Sequence, residues 1–582
     1  MRKSFLLIYL SFYCLILPAQ TVCQPFSLTD VRLLPSRFQR NMHRDSVWIA
    51  SIPVKSLLHS FRNTAGVFTE KEGGYMTMKH LAGWESMDCD LRGHTTGHLL
   101  SAMAYLQMKE KADSLIQGLA EVQAQYGSGY LSAYGEGLVD RNIQGKSVWA
   151  PFYTLHKLLQ GLIDQYLMCG NETALKVAKS MGNWAYEKLR PLSEDTRIRM
   201  IRNEFGGFNE AMYNLFAITK DEKYLWVARF FYHNEKVDPL KQGNSDLGTY
   251  HANTFLPKLL GECRNYELFG SDDSRRAATL LFNTLVDHHA FVTGEVSDRE
   301  HLFAPSEQSK HLTGYDGENC CTYYLLKLAE HLFTYQPDRK IADYYERALY
   351  NHILGQQDTL TSMVCYFTPL MTGGYRLYST RDSSFWCCVG SGFESHAKYQ
   401  SAIYFHSDKE LYVNLFIPSE LHWNGTVIRQ TTSFPEGNST LITSSAAINL
   451  KIRYPSWATF MKVNGRKVKA GADGYVFIKN TRKVCVEFGM SLHEEATKDD
   501  ASRVALLYGP IVLGGRLAEV AHPFSNPKNY NDYYTFDYGK HPDISLPEVK
   551  HLGKLLFETN NGIRIQPLYD LQHCRYVVYW KK

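Results

Sequence analysis

Thr154-Leu155-His156-Lys157-Leu158-Leu159-Gln160-Gly161-Leu162-Ile163-Asp164-Gln165-Tyr166-Leu167-Met168 is the stretch from which the fold is read. Leu155, Leu158, Leu159, Leu162, Ile163 and Tyr166 recur every three or four residues, the spacing that stacks apolar side chains along a helix. The same pattern surrounds it. His94–Met108 sets Leu99, Leu100, Met103, Ala104 and Leu106 on helical spacing. Similar patterns cover Glu172–Leu189, Asn209–Ile218, Tyr224–Tyr232, Asn253–Leu268, Ser274–Phe291, Thr322–Phe333 and Lys340–Gly355, separated by polar, often Gly-containing loops. No alternation of strands and helices appears, which argues against a doubly wound nucleotide-binding sheet. Helical hairpins in this number, from about Asp45 to Tyr350, predict an (α/α)6 toroid of six inner and six outer helices.

After about Gln400 the texture changes. Ser401–Phe405, Glu410–Ile417, Ile428–Thr432, Ala447–Tyr454, Phe460–Val463, Gly474–Ile478, Val484–Gly489 and Val504–Tyr508 are short, β-rich and bounded by turn residues, and Val463-Asn464-Gly465 is a tight-turn signal. The chain is therefore read as mainly α, with a toroid over residues 25–400. An antiparallel β-sandwich with a C-terminal tail is expected over residues 401–582.

Arg2 and Lys3 ahead of the apolar run Phe5–Pro18, with Leu17 and Ala19 at the cleavage positions, read as a signal peptide over residues 1–19. The run is too short to span a membrane comfortably, and no later segment approaches about 18 uninterrupted apolar residues, so no membrane span is expected in the mature chain. The expected location is the periplasm. Cys23 raises a lipoprotein anchor as the alternative, but Gln20-Thr21-Val22 matches such a site poorly. Losing Arg2 and Lys3 takes the formal charge from +4 to +2, which makes no case for nucleic acid or an anionic membrane. Aromatic residues make up 13% of the chain, with 38 Tyr; ring faces suit the less polar faces of sugars, and equally a large packed core. The oligomeric state is not legible.

Twelve cysteines in an exported protein suggest disulfides at first. Cys14 leaves with the leader, however, and the remaining number is odd. Cys320-Cys321 and Cys387-Cys388 are adjacent pairs, whereas the others are scattered singly, a pattern better suited to a metal site plus isolated buried thiols. Glu318, Cys320, Cys387 and Cys388 offer three thiolates and a carboxylate, a tetrahedral set soft enough for zinc and unsuited to calcium or magnesium. A vicinal disulfide, or unrelated buried thiols, is the alternative. Adjacent side chains diverge, so one cysteine of a pair is free for a task besides holding metal. Glu300 stands just upstream, in a loop between predicted helices. His94, His156 and His251 occupy loops at helix starts, and Glu204-Phe205-Gly206-Gly207-Phe208-Asn209-Glu210 makes another such turn. In a toroid these starts converge on one mouth, giving a polar pocket able to bind sugar hydroxyls. His94 and His98, four residues apart, also have metal-ligand spacing, but the Glu of a His-Glu-x-x-His protease is missing.

Several motifs in order carry a resemblance. They are Gly83-Trp84-Glu85, Leu91-Arg92-Gly93-His94-Thr95-Thr96-Gly97-His98, Gly129-Tyr130-Leu131-Ser132-Ala133-Tyr134, Val148-Trp149-Ala150-Pro151-Phe152-Tyr153, His251-Ala252-Asn253-Thr254 and Phe385-Trp386-Cys387-Cys388-Val389-Gly390-Ser391-Gly392. From about Arg32 to at least Gly514 the chain resembles glycoside hydrolase families 127 and 146, the retaining β-L-arabinofuranosidases, and looks closer to family 146. The resemblance implies a Zn2+ ion on Glu318, Cys320, Cys387 and Cys388. It also implies Cys387 as nucleophile, Glu300 as acid/base, and substrate contacts at His94, His156, Asn209, Glu210 and His251. The implied activity is exo-acting release of β-linked L-arabinofuranose from plant, pectic glycans. Cys321, Tyr324 and Leu302 depart from the family pattern and are expected to touch the pocket wall, which leaves another L-configured furanoside open as substrate.

Two other classes compete. A sugar epimerase or polysaccharide lyase on the same toroid would use His or Tyr bases and would not need Glu318 beside three thiols. A non-catalytic, zinc-stabilised glycan-binding protein would lose no reaction on replacement of Cys387 or Glu300.

Overall fold

The computed structural model describes residues 21–67, 81–520 and 537–582. The leader read over residues 1–19 lies outside the described residues. Among them, no helix is long and apolar enough to cross a membrane.

Six helices are buried on every side through their N-terminal halves: His94–Tyr105, Pro151–Cys169, Phe208–Thr219, Ala252–Phe269, Asn319–Tyr335 and Cys387–Ala397. A helix without a wetted face belongs to an inner layer. Each packs on the next in this order and the last packs on the first, so the ring is closed. Arg37–Ser51, Lys109–Tyr126, Glu172–Leu189, Glu222–Phe230, Asp272–Thr284 and Arg339–Ala348 each back one inner helix and turn a polar face to solvent. This is the expected (α/α)6 toroid.

Local chemistry explains the difference between the rings. Outer helices begin on side-chain caps: Ser36, Asn171, Asp221 and Asp338 each accept a first-turn N–H. Three inner helices instead start from left-handed residues, Gly93, Ala150 and Gly207, which turn the chain sharply into the ring. Close inner packing needs glycine at two places. A Cβ on Gly97 would lie 2.2 Å from the Lys157 carbonyl carbon, and one on Gly161 would lie 2.4 Å from the Gly97 oxygen.

Sequence periodicity misses the sixth inner helix, because Cys387-Cys388-Val389-Gly390-Ser391-Gly392 is poor in helix formers and is held helical by burial alone. It also joins what the chain divides: Leu285–His289 and Leu349–Ile353 are π-turns at the ends of helices read as continuous.

The last third of the chain, with two short N-terminal strands, forms two curled, almost wholly antiparallel sheets of ten and eight strands. The centre of the first is the long pair Ser439–Arg453 and Tyr475–Phe488. Its one parallel pairing joins Leu411–Val413 to Ser439–Arg453. Asn464 and Gly465, both left-handed, make the anticipated tight turn. The segment at 24–33, counted with the toroid in the sequence reading, belongs instead to this sheet: Gln24–Pro25 pairs with Tyr404–His406, and Val31–Leu33 with Ser419–Trp423. Strands of two and three residues carry too little alternation to be seen in a sequence. The tail is also structured, for Cys574–Val577 and Tyr579–Lys581 close the second sheet. One apolar core, including Leu325, Tyr350, Phe416, Val484 and Leu513, ties sheets and toroid together.

Candidate active site

The N-terminal ends of the inner helices open on one cavity of about 320 Å3. Trp84, Leu91, Trp149, Tyr153 and Phe205 form its wall, and His251, Asn253, Glu300, Tyr366 and Cys387 bring its polar groups.

At its floor two helix starts meet. Glu318 is the N-cap of Asn319–Tyr335, Cys320 lies in that helix's first turn, and Cys387 and Cys388 begin Cys387–Ala397. Phe385, two residues before Cys387, is left-handed at φ 46°, and its carbonyl is 2.9 Å from His94 Nε2. Burial holds His94 neutral, so Nε2–H donates to that carbonyl and fixes the bend that delivers Cys387.

The ligating atoms of Glu318, Cys320, Cys387 and Cys388 lie within 4.8 Å of one another, and all four residues are buried. Cys320 Sγ is 3.5 Å from Cys388 Sγ and 3.1 Å from Ser391 Oγ; Cys387 Sγ is 3.7 Å from Glu318 Oε1 and 4.0 Å from Cys388 Sγ. No disulfide joins any of the described cysteines, which removes the vicinal-disulfide alternative. Most of the single cysteines are buried or half-buried, but Cys485 is exposed on a strand, contrary to the expectation of isolated buried thiols.

Electrostatics indicate what the cluster suits. Burial, then the charge of Cys320, pushes Glu318 well above the usual carboxylate range. Burial also raises Cys387 and Cys388, whereas Cys320 is driven down because hydrogen bonds from Cys387, Cys388 and Ser391 outweigh its burial. Burial and mutual repulsion thus disfavour charging all four acids at once. A cation is what lets all of them ionise together, and three sulfurs with one carboxylate form a donor set for a soft divalent metal.

Glu300 is held in an unusual backbone. It and Arg299 are both left-handed, at φ 67° and 48°, which costs non-glycine residues energy. The bend is pinned by Glu300 O accepting from Ala252 N–H at 2.8 Å and by Arg299 stacking on Tyr315 at 4.0 Å. The carboxylate faces His251 Nε2 at 3.6 Å and receives a short hydrogen bond from the Tyr366 hydroxyl. Burial alone would raise its pKa, but the hydrogen bond and charge of His251, with the bond from Tyr366, bring it below the usual range. The same Tyr366 hydroxyl lies 3.3 Å from Cys387 Sγ.

The other expected substrate contacts divide. His251 lines the cavity. His94, His156, Asn209 and Glu210 are buried and do not line it. His156 fills the space where Gly207 lacks a Cβ. Asn209 Oδ1 caps Gly207 N–H and Glu210 N–H, and Glu210 pairs with Lys327 at 2.8 Å. The three departures from the family pattern also lie off the wall. Cys321 donates to Glu318 Oε2 at 3.1 Å, Tyr324 bonds Lys157 at 2.6 Å, and Leu302 is buried. Tyr366, Asn253, Tyr153 and Phe205 received no role from the sequence. Tyr366 follows no motif or period, and only its place beside Asn319, whose N–H donates to Tyr366 O at 3.2 Å, brings it to the site.

The catalytic-domain model of the GH127 β-L-arabinofuranosidases matches residues 30–401, and their middle-domain model matches residues 410–492. The chain belongs to the GH127 β-L-arabinofuranosidase family. It is a glycosidase. A non-reducing end β-L-arabinofuranosidase of Bifidobacterium longum subsp. longum is 22% identical over 486 residues, covering 70% of this chain and 71% of its own. A GH127 β-L-arabinofuranosidase of Geobacillus stearothermophilus T6 shares the fold at a TM-score of 0.72 and 17% identity, covering 95% of this chain and 99% of that one. A second GH127 β-arabinofuranosidase structure gives 0.73 at 17% identity, covering 96% and 98%.

Proposed function

We propose that the chain is an exo-acting retaining β-L-arabinofuranosidase that releases L-arabinofuranose from the ends of plant, pectic glycans. In this reading Cys387 is the nucleophile, Glu300 the acid/base, and Glu318, Cys320, Cys387 and Cys388 hold Zn2+. The observation that carries it is the Tyr366 hydroxyl, which touches both the Cys387 sulfur and the Glu300 carboxylate. Sulfur and carboxylate are thereby less than about 6 Å apart, below the separation that inverting enzymes need for an intervening water.

Bound there, zinc would keep the sulfur ionised at neutral pH without a separate base. Cys387 Sγ attacks the anomeric carbon and the glycosidic bond breaks, while Glu300 gives its proton to the departing oxygen. Water then enters from the leaving-group side. Glu300 takes its proton, the carbon–sulfur bond breaks, and the configuration is retained. Glu300 must be protonated for the first step and ionised for the second. His251 and Tyr366 favour the ionised form, and the excess negative charge of a filled thiolate cluster opposes them. The periplasmic location belongs to the same proposal and rests on Arg2, Lys3 and the run Phe5–Pro18.

The test is an assay on an aryl β-L-arabinofuranoside with wild type and Cys387→Ser, recording bound zinc and folding for both. Release of L-arabinose by wild type and a loss of at least about 10^4-fold in the folded variant are expected. A folded, zinc-loaded wild type that releases nothing would overturn the assignment.

A further inference from the structure

The mechanism leaves one feature of the cavity without a task, the pair Trp84 and Trp149. They come from separate loops, and their rings meet edge to face, 4.8 Å apart at 66°. Both loops are braced. A Cβ on Gly83 would lie 2.2 Å from Ser384 O, and Trp84 N–H donates to that oxygen at 3.0 Å. The next residue, Glu85, is buried and accepts from Gly93 N–H at 2.6 Å and Thr95 N–H at 2.9 Å. Trp149 N–H donates to Asp90 Oδ2 at 3.1 Å, and Ala150 behind it is left-handed at φ 33°. Strained backbone and braced loops thus hold a tryptophan that remains 42% exposed, one of the largest apolar side chains left open to solvent.

We infer that Trp149, cornered against Trp84, is the platform for the sugar ring of the leaving group, and that this ring is uncharged. The inference rests on the function proposed above. In a displacement at the anomeric carbon the bond that breaks points away from the attacking sulfur. Cys387 is at the floor, 3% exposed, so the departing oxygen and its sugar point to the mouth, where Trp149 stands. An exposed indole face held rigid binds a sugar's less polar face at little cost in conformational entropy. Among the described residues that line the cavity there is no lysine or arginine. A uronate leaving group would find no lysine or arginine to pair with there.

The experiment compares two substrates on the full, metal-loaded chain: methyl β-L-arabinofuranoside and a β-L-arabinofuranosyl disaccharide whose second ring is a neutral pentose. For Trp149→Ala the ratio of disaccharide to methyl glycoside kcat/KM should fall about tenfold, in KM more than in kcat. Trp149→Phe should restore most of it. Equal losses on both substrates, or no loss on either, would overturn the platform, because a wall of the inner sugar's site or a purely structural residue does not separate them. A wild type that turns over neither glycoside removes the parent assignment and the platform with it; turnover of both without the differential loss removes the platform alone.

Discussion

Two layers of buried charge occupy the bore of the toroid, one to two helical turns apart, and they are built on opposite plans. In the deeper layer acids meet bases. Glu394 pairs with His98 at a short distance and accepts from Tyr323, Glu210 pairs with Lys327, and Lys157 bonds Tyr324 inside a set of three tyrosine rings. In the upper layer the side chains of Glu318, Cys320, Cys387 and Cys388 bond one another, Cys321, Ser391, Asn253 and Tyr366, and no lysine or arginine among the described residues. A buried charge matched inside the protein builds structure. A buried set of acids without its own cation is a place for a metal and for chemistry. The two helices that begin with the upper layer, Asn319–Tyr335 and Cys387–Ala397, also carry Tyr323, Lys327 and Glu394 of the deeper one, so the difference comes from residue choice, not from the fold.

The largest effect should come from emptying the upper layer. Cys388→Ala removes a sulfur that touches neither Tyr366 nor the cavity wall. It should weaken metal binding by more than about 100-fold, beyond the cost usually seen for losing an outer partner. Activity should disappear with the metal, and the melting temperature should drop toward that of chelator-treated wild type. Metal content after dialysis and a melting curve decide it; full metal occupancy in this variant would contradict the ligand set.

Next comes Glu300→Gln, which keeps the shape and removes the proton. A loss of about 10^3-fold is expected on a disaccharide, within the usual range for acid/base catalysis. The loss should be much smaller on an aryl glycoside, whose leaving group needs no proton. Equal losses on both would deny Glu300 the acid role.

Tyr366→Phe sharpens the link between nucleophile and acid. Losing a hydrogen bond to a charged group should cost roughly tenfold or more in kcat/KM. The sign of the pH effect follows from the site: the Tyr366 hydroxyl favours ionised Glu300, so without it the carboxyl keeps its proton to higher pH. Because the protonated form starts the reaction, the alkaline limb of the kcat/KM profile should move upward. An unmoved limb would mean that the hydroxyl serves the sulfur alone.

How much of this was legible in the sequence depends on whether a residue works locally. All nine helical patterns named at the outset fall on single helices or helix–π units of the two rings, because periodicity reports burial along one element. The thiol pairs were visible because adjacent cysteines are rare, and Glu300 through family resemblance. Tyr366 was invisible, for its role arises from two bonds to residues 21 and 66 positions away. Of four expected sugar contacts, His94, Asn209 and Glu210 sit in the first turns of their helices as read and His156 in a second turn, but none lines the cavity: Asn209 donates to Lys258 O of the next inner helix and Glu210 pairs with Lys327 in the bore. Position in a loop motif gave their height in the toroid and not their direction.

The smallest effect on turnover, and the clearest test of the deeper layer, is Glu394→Gln. Although burial would raise this carboxyl, its hydrogen bond and charge interaction with His98, the charge of Lys157 and the Tyr323 hydroxyl together hold it down at about 2. A carboxyl whose folded pKa lies below its unfolded value adds stability that is fully present above the unfolded pKa, near 4.5, and lost as pH falls to about 2. Wild type should therefore be more stable than Glu394→Gln at pH 6 and the gap should close as pH approaches 2, with turnover per metal-loaded molecule changed far less than by any substitution above. Melting temperatures of both proteins across that range measure it. A gap independent of pH would mean that Glu394 holds the deeper layer by shape and not by charge, and the contrast between the layers would then rest on the thiols alone.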